Sequence, residues 1–177
     1  MIPRKESINP GLIGKVVIRE MVDTDSERVL EIYKMGIESG MATFETGIPS
    51  WKEFSSSHHK HSRFIIELNN QLVGWAALSA VSKRDAYKGV AEVSIYLDKN
   101  NLGEGLGSML MEKVITSSEL NGIWTLFSSV FPENQASVRL HEKFGFRIIG
   151  KRERIGQIDG KWQDTLILEL RSRKVGL

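Results

Sequence analysis

Cysteine is absent from this chain of 177 residues. Its absence excludes disulfides, thiolate metal sites and a cysteine nucleophile. Also missing is any apolar run near the ~18 residues that a membrane-spanning helix needs. Charge of one sign is lacking too. The Lys and Arg residues number 24 against 22 Asp and Glu, a net +2, and they are scattered rather than blocked. That pattern disfavours nucleic acid as a partner. No internal repeat, low-complexity stretch or linker interrupts the chain, so residues 16–171 read as a single domain large enough to bury a core. Residues 1–15 carry early charges with no apolar segment behind them. They read as a flexible lead-in rather than a secretory signal, residues 172–177 read as a tail, and the expected location is the cytoplasm.

What is present alternates between two periods. β-Branched residues at 16–21 suggest a first strand, followed by Asp23-Thr24-Asp25-Ser26, short side-chain acceptors suited to a helix start. Val29, Ile32, Tyr33 and Ile37 recur at helical spacing as far as Gly40, and Ser50 with Glu53 has capping-box spacing for a shorter second helix. Strands are expected at 63–68 and 71–80 around an Asn69-Asn70 turn, then at 91–97, 123–131, 146–154 and 162–170. Helices are expected at 105–120 and 134–144. The resulting order is β-α-α-β-β-β-α-β-α-β-β, an α/β (α+β) fold with a mixed central sheet of about six to seven strands flanked by about four helices.

Residues 91–114 organise the rest. An apolar run containing one carboxylate, Glu92, leads into Leu102-Gly103-Glu104-Gly105-Leu106-Gly107-Ser108 and then an amphipathic helix. Alternating glycines let the backbone approach a ligand, and a helix start offers free N–H groups to an anion. This is neither the dinucleotide fingerprint nor the nucleoside-triphosphate loop, whose glycine spacing and Gly-Lys-Ser/Thr ending it lacks. Alone, such a turn also fits a plain strand-to-helix connection. A second landmark lies downstream, Asn134-Gln135-Ala136-Ser137-Val138-Arg139-Leu140-His141-Glu142-Lys143-Phe144-Gly145-Phe146.

Together the two landmarks resemble the GNAT superfamily of N-acetyltransferases. The second motif there usually reads N-x-x-A-x-x-L-Y-x-K-x-G-F, and His141 stands where Tyr is usual. Ala42-Thr43-Phe44-Glu45-Thr46, Arg84-x-Ala86-Tyr87, Glu92 with Ser94-Ile95-Tyr96, and Leu140-His141-Glu142-Lys143 are similar to the phosphinothricin and methionine sulfoximine acetyltransferase branch. That branch usually carries Arg-Gly-Arg-Gly-Ile-Gly in the turn, where this chain has Leu102 and Glu104 in place of both arginines.

The resemblance implies acetyl-CoA as co-substrate, no metal, a small amino-acid-like amine as acceptor, and a homodimer. It implies that Ile95, Tyr96 and Leu97 pair through their backbone with the pantetheine amides. Gly103, Glu104, Gly105, Leu106, Gly107 and Ser108 would hold the pyrophosphate, with Asn134 at the start of the next helix. Lys143 either reaches a coenzyme phosphate or lies along its helix. Thr43, Phe44 and Glu45 with Arg84, Asp85, Ala86 and Tyr87 would form the acceptor pocket, the Arg84 fork meeting a carboxylate.

An α-ammonium group must lose a proton before it attacks a thioester. Glu92 is the expected base, acting through a water, because partial burial raises a carboxylate's pKa; the alternative is a carboxylate paired to a cation. His141 is the expected general acid, against a plain surface histidine. With no cysteine to carry the acetyl group, transfer is expected to be direct within a ternary complex. Two other outcomes remain open at this point. One is an acyl-CoA-binding module without turnover, and the other is acetylation of a polyamine, an aminoglycoside or a protein N-terminus. His58-His59-Lys60-His61 reads as a solvated helix end, since its lysine and the lack of a nearby patterned acid oppose a metal site. Trp51, Trp75, Trp124 and Trp162 read as core or interface residues.

Overall fold

Alternation along the central strands yields two apolar faces, and a sheet with two apolar faces must be covered twice. In the computed structural model, residues 14–177 are described, so the lead-in expected at residues 1–15 falls almost wholly outside them. Strands β2 (Phe64–Leu68) and β3 (Gln71–Ala80) send Phe64, Ile66, Ala76 and Leu78 to one core. There they meet Leu106, Leu110, Met111 and Val114 of helix α3 (Leu106–Leu120) and Val138 of helix α4 (Gln135–Lys143). Their alternate residues Ile65, Trp75 and Ala77 enter a second core with Val29 and Ile32 of helix α1 (Ser26–Glu38) and Phe54 of helix α2 (Trp51–Ser57).

The remaining strands are β1 (Val16–Glu20), β4 (Val90–Leu97), β5 (Thr125–Val130), β6 (Arg147–Ile158) and β7 (Lys161–Arg171). They complete a seven-stranded sheet in the order β1-β2-β3-β4-β5-β7-β6. Every neighbouring pair is antiparallel except β4 and β5, which run parallel with α3 as the crossover. The expected order of elements, the seven strands and the four helices agree with this architecture.

Local chemistry accounts for the boundaries. Asn69 and Asn70 both take positive φ, 53° and 65°, the left-handed pair that a two-residue hairpin requires. Ser50 accepts from Glu53 N–H while its own N–H donates to Glu53 Oε2 at 2.8 Å, closing the capping box. The last two strands run longer than the expected 146–154 and 162–170. The pairing of β6 slips between Arg152 and Gly156, where Arg154 has φ 50° and its N–H donates to Asp164 Oδ1 at 2.8 Å. This charged bulge hides the strand's period in the sequence. The helical start at 134 shifts by one residue, because Asn134 is the cap and not the first turn.

One close approach ties α1 to the sheet. A Cβ on Gly36 would lie 2.5 Å from the Tyr96 ring, so only glycine lets the helix pass over β4 at that point.

Candidate active site

Two neighbouring strands part in the middle of the sheet. β4 and β5 pair only at Val90–Thr125, Ala91–Leu126 and Glu92–Phe127. Beyond that point β4 stays on β3 as far as Leu97 opposite Gly74, and β5 stays on β7 as far as Val130 opposite Leu166. The strands therefore diverge, each held by its outer neighbour, and a cleft of about 800 Å³ opens between them. Val93 to Leu97 and Ser128 to Val130 line it with strand edges that have no partner across the gap.

Glu92 stands where the strands separate, half-buried. Burial pushes its carboxyl group above the usual carboxylate range, and the Arg152 guanidinium and the Ser129 backbone N–H oppose that shift only in part. Arg152, on β6, is thus a cation whose field reaches Glu92 although it does not line the cleft, and the sequence pattern did not single it out.

The loop after α1 closes one wall. Thr43, Phe44 and Glu45 line the cleft, and Tyr33 of α1 joins them. The Tyr33 and Tyr96 rings meet edge to face at 4.9 Å, and Tyr96 stacks on Trp75 at 4.7 Å. Burial raises the pKa of both phenols, so each keeps its proton; the Thr43 side chain lies beside both. Tyr33 escaped the sequence reading because its helical spacing assigned it to the core stripe of α1. Phe44 packs edge to face on Phe131 at 4.8 Å, and a Cβ at Gly156 of β6 would come within 2.7 Å of its ring. Asn134 holds this loop from the other side. Its Oδ1 accepts from Ser137 N–H at 3.1 Å, capping α4, and its Nδ2 donates to the Met41 carbonyl at 3.1 Å. Both ends of the amide are engaged within the protein, so Asn134 positions the wall, and each end keeps one further hydrogen-bonding site.

The glycine turn forms the opposite end. Gly103 and Gly105 have φ 81° and 85°, Gly105 caps α3 without a side-chain bond, and Gly107 and Ser108 follow in the first turn. The first N–H groups of a helix have no internal partner and carry its positive pole. Lys143 reaches this turn from α4, its Nζ donating to Ser108 Oγ at 2.9 Å. Arg139, one helical turn earlier, lines the same cleft, and sequence reasoning missed it although i and i+4 share a helix face. Two cations of α4, Arg139 and Lys143, thus line the cleft that this turn closes. Neither Leu106 nor Glu104 lines the cleft. The Leu106 side chain is buried in the core, and Glu104 Oε2 is shielded from solvent without a hydrogen-bond partner.

His141 lines the cleft but is not a surface residue; it is 5% exposed. Its Nδ1 lies 2.8 Å from the Ser137 carbonyl, which can only accept, so Nδ1 carries the proton and Nε2 is a bare, buried acceptor. Burial also lowers its pKa. A neutral imidazole in this tautomer has no proton on Nε2 to give at neutral pH, which opposes the expected general-acid role.

Two further expectations change. Arg84, Asp85, Ala86 and Tyr87 form an exposed turn that does not line the cleft, because the β3–β4 connection carries them outward. His58 is not a solvated helix end. β2 leaves β3 after Ala76, and the chain at His58 and His59 takes over that edge, with His58 opposite Ser79 and His59 N–H on the Leu78 carbonyl at 2.8 Å. His58 lies half-buried against the Phe54 ring at 4.3 Å and lines the cleft. Among the described residues, no group of three His, Cys, Asp or Glu could hold a metal ion. Nor is any helix among them long and apolar enough to cross a membrane.

Comparison with known proteins agrees with this geometry. Residues 36–146 match the Acetyltransferase (GNAT) family. A Bacillus subtilis (strain 168) protein named, provisionally, as a phosphinothricin acetyltransferase is 35% identical over 81% of this chain and 91% of its own length. An L-methionine sulfoximine/L-methionine sulfone acetyltransferase of Pseudomonas aeruginosa is 28% identical over 56% of this chain and 58% of its own. Among solved structures, a GNAT superfamily phosphinothricin acetyltransferase from Sinorhizobium meliloti in complex with AcCoA superposes with a TM-score of 0.82 at 25% identity, covering 91% of this chain and 90% of that one.

The double use of Asn134 makes a checkable claim. Asn134→Ala removes a helix cap, a loss of about 0.5–2 kcal/mol in denaturant unfolding. It also frees the loop, so limited proteolysis is expected to cut residues 41–48 faster than in the parent protein.

Proposed function

The chain belongs to the Acetyltransferase (GNAT) family, and from that premise we propose that it acetylates the α-amine of a small amino acid or amino-acid analogue of the phosphinothricin or methionine sulfoximine type. Acetyl-CoA is the co-substrate, supplying an acetyl group activated as a thioester. The residues present fit it. Ile95, Tyr96 and Leu97 offer a strand edge with no partner to the pantetheine amides, and the first turn of α3 with Lys143 and Arg139 offers donors and cations to its phosphates. The observation that carries the reading is the parting of β4 and β5 at Glu92, which brings a desolvated carboxylate to the head of an open strand edge.

Glu92 takes the proton of the acceptor ammonium group, directly or through a water. Its raised pKa brings it closer to the amine's range. Activity therefore rises as pH climbs through that pKa and is lost below it. Arg152, rather than Arg84, is the cation whose field reaches Glu92, and its fork suits the acceptor carboxylate. Tyr33, Thr43, Phe44, Glu45 and Tyr96 bound the side-chain pocket. His141 is an acceptor of a hydrogen bond there, not the acid. Transfer is direct within a ternary complex, since no cysteine is available to carry the acetyl group. We include a cytoplasmic homodimer in this reading. It is supported by the edge strand β6, which exposes Ile148, Ile149 and Ile155, with Trp162 exposed on β7.

A second reading, coenzyme binding without turnover, draws on Glu104, whose carboxylate stands just before α3. Acetyl transfer to methionine sulfone, methionine sulfoximine and phosphinothricin, with coenzyme release as readout, decides between the two. Turnover is expected, with kcat in Glu92→Gln reduced by about 10²–10⁴-fold. Arg152→Ala is expected to raise KM for the amino acid by about 10–100-fold. A larger effect from Arg84→Ala would bring the β3–β4 turn into the site instead. Binding with no turnover on a broad amine panel would favour the second reading. Arg139→Ala and Lys143→Ala are expected to raise KM for acetyl-CoA several-fold, less so at high salt because both cations are screened. Light scattering is expected to give about 40 kDa, twice the chain mass of 20.0 kDa.

A further inference from the structure

Three residues far apart in the chain lie side by side across the sheet. His58 is opposite Ser79, and Ser79 is opposite Glu92. Residues directly opposite on antiparallel strands share a face, with Cβ atoms about 4.5–5.5 Å apart. In register, Ser79 thus stands between His58 and Glu92, and all three residues line the cleft.

The protons on His58 are fixed by its partners. Nδ1 lies 2.7 Å from the Phe54 carbonyl, which only accepts, so Nδ1–H donates and Nε2 presents a lone pair. Stacking on Phe54 at 4.3 Å and an edge contact to Trp75 at 6.2 Å hold the ring plane. The groups that face it are Ser57 and Phe54 of α2, the neighbouring His59 and Arg63, Trp75 and Ser79 of β3, and Glu92 beyond Ser79. Burial, then Arg63 and His59, lower the imidazole's affinity for a proton, while burial raises that of Glu92. The two groups are drawn toward each other, the condition for easy passage of a proton between them. Because the ring is half-buried, it keeps contact with water.

We propose that His58, through the Ser79 hydroxyl, receives the proton that Glu92 takes from the acceptor and discharges it to solvent. The ammonium group gives one proton to a Glu92 carboxylate oxygen. The carboxylic acid passes it to Ser79 Oγ as the Ser79 hydroxyl proton moves to His58 Nε2. The imidazolium releases it to water, which restores carboxylate, hydroxyl and neutral imidazole with no change in electron count. The proposal rests on Glu92 being the base of the proposed acetyl transfer.

The first test reads the free protein, by long-range ¹H–¹⁵N correlation spectra of the His58 ring across pH. Glu92→Gln removes a neighbouring carboxylate and is expected to move the His58 midpoint to lower pH, with Nδ1 protonated in the neutral form. The second test is steady-state kinetics of His58→Gln and Ser79→Ala. Both are expected to lower kcat roughly tenfold with KM for both substrates unchanged, and added imidazole is expected to restore kcat in His58→Ala. Ser79→Ala is the mildest change and guards against misfolding of the histidine variants. A His58 midpoint unmoved by Glu92→Gln, or parental kcat in both His58→Gln and Ser79→Ala, would overturn the relay. Parental turnover in Glu92→Gln removes the base and the relay together, whereas its loss there with parental turnover in the other two removes the relay alone.

Discussion

A strand backbone that loses its neighbour must find hydrogen-bond partners elsewhere, and that requirement governs this molecule. The β4–β5 ladder ends at Glu92 and Phe127 while both strands continue. β3 and β7 keep them straight, so the gap cannot close by collapse. What remains is a pair of rigid edges, one of them bearing a carboxylate at its root. The helices on either face are arranged around this opening. α3 brings its positive end to one mouth, and α1 brings Tyr33 to the other.

Rigidity at the edges is matched by tethers in the walls. The loop after α1 has no period of its own, yet it is fixed at Met41 by Asn134 and at Phe44 by Phe131. α4 is in turn linked to α3 through Lys143 and Ser108. The glycine-turn end of the cleft, the wall after α1 and the helix between them thus share a small set of polar contacts. Apolar burial alone fixes positions less finely, because it is non-directional.

The fold was legible because the periods were clean. β2 and β3 alternate into two cores, and the turn and cap chemistry at Asn69-Asn70 and Ser50 has one local meaning. β6 was read short because its bulge interrupts the alternation at Arg154. Tyr33 was hidden by the core-stripe spacing of α1, but other lining residues with a local pattern, Glu92 and the glycine turn among them, were legible from the sequence. Those brought in by tertiary packing were not. His58 reads as polar and lies beside Phe54, and Arg84 reads as a ligand but faces water. Arg139 was overlooked for a different reason. A cation on a helix surface has no pattern of its own, and only the position of α4 over the cleft gives it one.

Gly156 carries no side chain into the cleft, yet the Phe44 ring occupies the space its Cβ would fill. The width of the cleft at Phe44 is therefore governed from behind, by a strand at the far edge of the sheet. A lineage could reshape that wall through a single change at position 156 and leave every lining residue as it was. The order of the sheet, with β6 outermost, makes such drift cheap for the core and immediate for selectivity.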